Sequence, residues 1–166
     1  MGAKKFTDAG RIERVKNLHF SWLRPGQLAG ACQPGSWNSL EDDLKILDGE
    51  GVRAIVNLRE RPYLLPAPWR ERFDLIHVPM EDFSVPSVSQ MEEIVELTET
   101  LLDDGKPVVY HCMAGIGRTG VVLAALLMAR EELSANDAID ALAPHGRGPQ
   151  SEAQRHFLQR LWAEHL

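Results

Sequence analysis

Cysteine is scarce in this 166-residue chain: Cys32 and Cys112 are its only two. That excludes a disulfide framework and points to a reducing, intracellular setting. Long apolar runs are also missing. The longest, VVLAALLMA from Val121, is far short of the about 20 residues that a membrane-spanning helix needs. The opening MGAKKFTDAG lacks a signal-peptide core, and Phe6 stands where a myristoylation pattern requires serine or threonine. Positive charge is not in excess: 18 Lys and Arg face 24 Asp and Glu, for a net charge of -6, which argues against a general binder of nucleic acid or membrane surfaces. The six histidines are scattered without metal-ligand spacing, and no Gly-Lys-Ser/Thr marks a Walker loop. There is no internal repeat and no low-complexity segment. These absences lead to the expectation of a cytoplasmic protein with no metal and no cofactor.

What is present is an ordinary globular composition, 44% hydrophobic and 25% charged, in a chain of single-domain length. Residues 1–17 are polar and read as a loose arm or a short helix, so the expected division is an arm over 1–16 and one domain over 17–166. HFSWLRPGQLAGACQP reads as two short strands around a Pro25-Gly26 turn. Leu40, Leu44 and Leu47 share a helical face over 37–49, closed by Gly49 and Gly51. VRAIVNL (52–58) and DLIHVP (74–79) are strand-like, and the prolines of RERPYLLPAPWRER rule out a long helix between them. A helix starts near Ser87, with Met91, Ile94, Val95, Thr98, Leu101 and Leu102 on one face. Its capping box is Ser87 with Gln90 or Ser89 with Glu92. PVVYH is the next strand, followed by a buried helix over 118–132 and helices over 135–143, capped by Ser134, and about 151–164. The alternation predicts an α/β fold, with a central, mainly parallel, four- to five-stranded sheet flanked by helices on both faces.

VVYHCMAGIGRTG, residues 108–120, sits where such sheets bind ligands, beyond the carboxyl end of a strand. Its Gly115-Ile116-Gly117-Arg118-Thr119-Gly120 fits a dinucleotide fingerprint, but the following segment is helical again, where that motif needs a strand ending in an acidic residue. Taken instead from Cys112 to Arg118, the loop has the make-up of an anion cradle. Backbone N–H groups of Met113, Ala114, Gly115, Ile116, Gly117 and Arg118 can converge on one phosphate. Gly115 and Gly117 permit the tight wrap, the helix start adds its positive end, and the Arg118 guanidinium can grip two oxygens. A free cysteine is only a few per cent ionised at neutral pH, whereas one at a helix N-terminus beside cationic groups is largely thiolate. Cys112 is therefore expected to be a nucleophile on the floor of a phosphate site. His111, just before it, is expected to orient the loop backbone through hydrogen bonds.

HCMAGIGRTG resembles the His-Cys-x-x-Gly-x-x-Arg-Ser/Thr-Gly signature of cysteine-dependent protein tyrosine and dual-specificity phosphatases. NLHFSWLRPGQLAG, GVRAIVNLRERP and VPMEDFSVP are similar to the matching stretches of small atypical dual-specificity phosphatases, so the resemblance covers roughly residues 17–162. It implies hydrolysis of phosphotyrosine monoesters, with phosphoserine and phosphothreonine, through a phosphocysteine intermediate. Inositol phosphate or phosphoinositide hydrolysis is the alternative, and a catalytically idle phosphoprotein-binding domain the third reading. The neutral Met113, Ala114 and Ile116 weigh against multiply phosphorylated lipids, whose phosphatases carry lysines in this loop. The implied partner is a phosphorylated protein or peptide, met by a monomer.

The resemblance also implies individual roles. The general acid is an aspartate in the loop MEDFSVPS, a position that Asp82 fits, with Glu81 as runner-up. Thr119 donates a hydrogen bond to the Cys112 sulfur, or else caps backbone at the helix start. Gln154 positions the hydrolytic water, with Gln150 a nearby competitor. Cys32 is expected in the core, a protective disulfide with Cys112 being the alternative.

Overall fold

The computed structural model describes residues 7–166. Helix α1 (Asp8–Leu18) leads into an antiparallel pair, β1 (Ser21–Arg24) and β2 (Leu28–Ala31). Then come α2 (Leu40–Gly49), β3 (Ala54–Asn57), β4 (Asp74–His77), α3 (Val88–Asp103), β5 (Val108–His111), α4 (Gly117–Glu131), α5 (Ala135–Leu142) and α6 (Glu152–His165). The five strands lie in the order β1-β2-β5-β3-β4, parallel except for β1 against β2. The expected α/β architecture is the one observed.

Alternation along the strands builds two cores. Val108 and Tyr110 of β5, with Ala54 and Val56 of β3, pack on α3, α4, α5 and α6. Val109 and Ile55 face the other way, onto Leu18 of α1, Leu44, Ile46 and Leu47 of α2, and Trp69 and Phe73 of the β3–β4 connection. Helix α4 lies inside the first core, buried from Gly117 to Met128. Tyr110 and Thr98 join across this core by a short hydroxyl–hydroxyl bond, while Thr98 Oγ1 donates to Ile94 O at 2.6 Å.

Helix starts follow serine. Ser39, Ser87, Ser134 and Ser151 each accept the N–H of the residue three positions on, at 3.0–3.1 Å. Of the two predicted caps for α3, Ser87 is used. Its Gln90 does not complete a box but donates to Pro79 O at 3.3 Å. Helix α4 alone among the long helices after α1 begins without a side-chain cap, at Ile116.

The expected boundary after residue 16 falls inside α1. This helix docks on α2 through Arg14–Asp42 (3.2 Å) and Arg11–Glu50 (3.2 Å), while Asn17 reaches Asn38 at 3.1 Å. Residues 1–6 of the predicted arm lie outside the described residues. Strand β4 ends at His77, two residues short of expectation, because Pro79 has no N–H to continue the ladder. Among the described residues no helix is long and apolar enough to cross a membrane, and no group of three or more His, Cys, Asp or Glu side chains is arranged to hold a metal ion.

Candidate active site

Residues 112–116 run from the end of β5 into α4, and every carbonyl among them is held by protein. Cys112 O contacts His111 Nδ1 at 3.1 Å, Met113 O accepts Gln33 N at 2.9 Å, and Ala114 O contacts His19 Nδ1 at 3.1 Å. Gly115 O accepts the Arg147 guanidinium, and Ile116 O accepts both Gly120 N (2.9 Å) and Gly148 N (3.1 Å). In a trans peptide the N–H points opposite its carbonyl. Fastening five successive carbonyls outward therefore turns the N–H groups of residues 113–117 the other way. Among the described residues, none of the N–H groups of 113–118 donates to a protein acceptor. Such a run of free, like-directed donors is a nest for an anion.

Two glycines allow the wrap. Gly115 has φ +75°, and a Cβ there would collide with the Ala31 carbonyl of β2. A Cβ on Gly120 would collide with the Gly148 backbone, whose N–H holds Ile116 O.

Cys112 is buried, with its sulfur 3.1 Å from Thr119 Oγ1, which donates to it. Arg118 is 3% exposed. Its Nη1 donates to Met80 O at 3.0 Å and makes a short ion pair with Glu60. Its Nε lies 3.5 Å from Asp82 Oδ1, an ion pair without a hydrogen bond, and that buried N–H has no hydrogen-bond acceptor. Nε is thus a charged donor left over for an anion.

Glu60 sits in a turn shaped by buried Asn57, whose amide bridges Arg59 N and Arg61 O at 2.9 Å each. Its own backbone N–H, together with the Arg118 guanidinium, holds the Glu60 carboxyl below the usual range.

His111 is fully buried, and burial pulls it down to about 4, so it is neutral at physiological pH. Cys112 O can only accept, so Nδ1 carries the proton and Nε2 accepts from Tyr63 OH at 2.8 Å. Burial raises the Tyr63 hydroxyl, which keeps it a donor. His111 is thus placed to orient the loop and is not placed as a base.

The loop of residues 78–87 is exposed around Glu81 and Asp82. Asp82 faces Arg118 and also accepts Phe83 N at 2.9 Å, whereas the Glu81 side chain makes no such approach. Phe83 turns the chain at φ +58°, a left-handed conformation costly for a bulky residue. Ser151 Oγ holds Phe83 O at 3.0 Å and Gln154 Nε2 holds Ser84 O at 3.2 Å, tying this loop to the start of α6.

Gln154 departs from expectation. Its side chain is fully buried and engaged at both ends, Oε1 by Gln150 N (2.7 Å) and Nε2 by Ser84 O, so it is not directed to the sulfur. The Gln150 side chain lies against Gly117 of the cradle instead. Both cysteines are free thiols; Cys32 is in the second core, with Sγ 3.4 Å from Asn17 O. Sequence reasoning missed Glu60, Tyr63 and Arg147, each brought to the loop from another element.

A thiol at the centre of a nest, with an arginine on the same loop and a carboxylate facing it, defines a phosphate-ester site of the cysteine-based class. A family model described as "Polymorphic toxin system, DSP-PTPase phosphatase" matches residues 29–132. The chain belongs to this DSP-PTPase family, as a small atypical member of the cysteine-based tyrosine phosphatase superfamily. It is 31% identical over 165 residues to the tyrosine-protein phosphatase CDC14 homolog of Schizosaccharomyces pombe, covering 91% of this chain and 30% of that protein. For the dual specificity protein phosphatase CDC14B of Mus musculus the values are 26%, 92% and 33%. The chain thus spans about a third of the length of these curated relatives. Among solved structures, Tk-PTP in its active form superposes with TM-score 0.74 at 29% identity, over 88% of this chain and 97% of that one. Kinase associated phosphatase with its catalytic cysteine changed to serine gives 0.76 at 25%, over 90% and 98%.

Proposed function

We propose that the protein hydrolyses phosphotyrosine, and phosphoserine or phosphothreonine, in protein substrates through a phosphocysteine intermediate. The observation that carries this reading is the outward fastening of the five loop carbonyls around Cys112, which leaves their N–H partners free for phosphate oxygens. The Cys112 thiolate attacks phosphorus and the ester P–O bond breaks, with the leaving oxygen taking its proton from Asp82. Charge on the equatorial oxygens is met by the loop amides and Arg118. In the second step Asp82 takes a proton from water, which attacks phosphorus and releases phosphate and thiolate. The Thr119 hydroxyl, 3.1 Å from the sulfur, supports the departing negative charge. Water placement falls to Gln150, whose side chain lies against Gly117 of the cradle, with Gln154 holding the neighbouring backbone.

A second reading, hydrolysis of a phosphoinositide or inositol phosphate, has one observation behind it. Arg59 reaches Gln33 Oε1 at 3.4 Å, and Gln33 N is bonded to the cradle at Met113, so a second cation stands close by for a second anionic group. PTPMT1, solved with PI(5)P, shares the fold with TM-score 0.73 at 19% identity. The chemistry requires a reduced thiol, which supports a reducing, cytoplasmic setting.

The test is hydrolysis of an aryl phosphate with and without chelator, then of phosphotyrosine, phosphothreonine, phosphoinositide and inositol phosphate substrates side by side. Chelator-resistant activity that Cys112→Ser abolishes, highest on the phosphopeptides, is expected. An inactive parent, or a metal requirement, overturns the reading, and a preference for the inositol substrates selects the second one.

A further inference from the structure

Arg147 is a second buried guanidinium at the cradle, 4% exposed, on the segment between α5 and α6. Its fork draws four elements together. It donates to Gly115 O of the loop, to Gly30 O of β2 at 2.7 Å, to Ser21 Oγ of β1 at 3.2 Å and to His19 O at the end of α1. The chain is built to admit it: a Cβ on Gly30 would overlap the guanidinium. Yet all these acceptors are neutral. Among the described residues Arg147 has no carboxylate within ion-pair distance, and burial pulls it down to about 10. A buried cation without a carboxylate is expensive unless another anion offsets it.

The groups around Arg147 narrow that anion. His19 Nδ1 stands 3.4 Å from Nη1 and cannot be an anion, and His145, from the turn after α5, is pushed down by burial and by Arg147 and so is neutral. Two thiols stand on the segments that the guanidinium grips: Cys32 directly after β2, whose Gly30 O it holds, and Cys112 at the start of the loop, whose Gly115 O it holds. Burial, with the Asp43 charge, pushes Cys32 up to about 11, so it stays a thiol at neutral pH. Cys112 remains.

We propose that Arg147 is a positioning residue for the Cys112 thiolate, holding the loop from beneath and supplying the charge that the thiolate, and then the bound phosphate, balances. This rests on the phosphocysteine reading. The effect is transmitted partly through one peptide group. The Gly115 carbonyl points at the guanidinium, so the Ile116 N–H of the same peptide points into the nest and is polarised by the cation behind it. Arginine suits the position because a planar fork reaches acceptors on several elements at once.

The test compares the parent with Arg147→Lys and Arg147→Gln by the pH dependence of iodoacetamide inactivation and of kcat/KM on an aryl phosphate. In Arg147→Gln the acidic limb of both profiles moves up by about one pH unit. Arg147→Lys, which keeps the charge, restores the limb to the parent position even where kcat stays low. Gly30→Ala, which displaces the guanidinium without removing it, moves the limb upward as well and serves if Arg147→Gln does not fold. Folded variants that lose kcat with the limb unmoved overturn the proposal and leave Arg147 a scaffold residue. A parent whose activity iodoacetamide leaves intact would instead remove the phosphocysteine reading itself.

Discussion

Tyr63 OH and His111 Nε2 are 2.8 Å apart, and the hydroxyl donates to the nitrogen that the Cys112 carbonyl leaves without a proton. The proton on Nδ1 then fastens Cys112 O, the first of the outward-turned carbonyls. A hydroxyl in the β3–β4 connection thereby braces the imidazole that holds the first carbonyl of the loop.

The same imidazole gives the protein an acid-sensitive term. Burial holds His111 at about 4 against an ordinary value of 6.5, with Arg59, Arg118 and His77 acting in the same direction and the Cys112 carbonyl opposing. The unfolded chain binds the proton first, so folding stability is full above pH 6.5 and falls as pH drops toward 4. The loss is on the order of 3 kcal/mol. Urea midpoints measured from pH 7 to pH 4 are expected to fall more steeply in the parent than in His111→Asn; parallel slopes would count against the assignment.

Glu60 orients the nucleophilic loop's arginine while lying outside the loop. In Glu60→Gln the Arg118 fork keeps Met80 O but loses its charged partner, and kcat/KM on a phosphopeptide is expected to fall by roughly tenfold through misplacement of the guanidinium. Steady-state kinetics checks this, with an undiminished kcat/KM as the contrary result.

Asp82→Asn is expected to lower kcat on a phosphotyrosine peptide by about 10²–10⁴-fold. An aryl phosphate whose leaving group needs no proton should suffer much less in the first step. Equal losses on both substrates would mean that Asp82 acts through Arg118, 3.5 Å away, and not as the acid.

Thr119→Val removes the only hydroxyl among the described residues that bonds the Cys112 sulfur. Losing one such bond, about 1 kcal/mol, should slow breakdown of the phosphocysteine several-fold. Rapid-quench traces should show a larger product burst before the steady state. Thr119→Ser should return to parent behaviour.

Gln154 and Gln150 separate by stability. Gln154→Ala breaks two buried hydrogen bonds and is expected to cost about 1–3 kcal/mol and to loosen the acid loop. Gln150→Ala should leave the melting temperature nearly unchanged and slow the hydrolytic step. A single-turnover assay beside a thermal melt distinguishes them.

The strand, loop and helix that hold Cys112, Arg118 and Thr119 were legible because they are contiguous: a β-branched run, two glycines and an apolar helix follow one another in 25 residues or so. The helix starts were legible for the same reason, since a serine cap acts three residues away. What escaped was brought in over long separations. Glu60 is 58 positions from Arg118, Tyr63 48 from His111, and Arg147 32 from Gly115. No local spacing marks an arginine as buried or a glutamate as a guanidinium's partner. The two glutamines lie four residues apart, and only the packing of the α6 start decides which of them faces the cradle.

Arg118 and Thr119 stand on the longest buried stretch among the described residues, whereas Asp82 rides on an exposed loop latched by Ser151 and Gln154. The phosphate cradle and the carboxylate that faces it are thus anchored to parts of the molecule with unequal burial. Cutting that latch should leave a site that still binds phosphate esters but turns them over slowly.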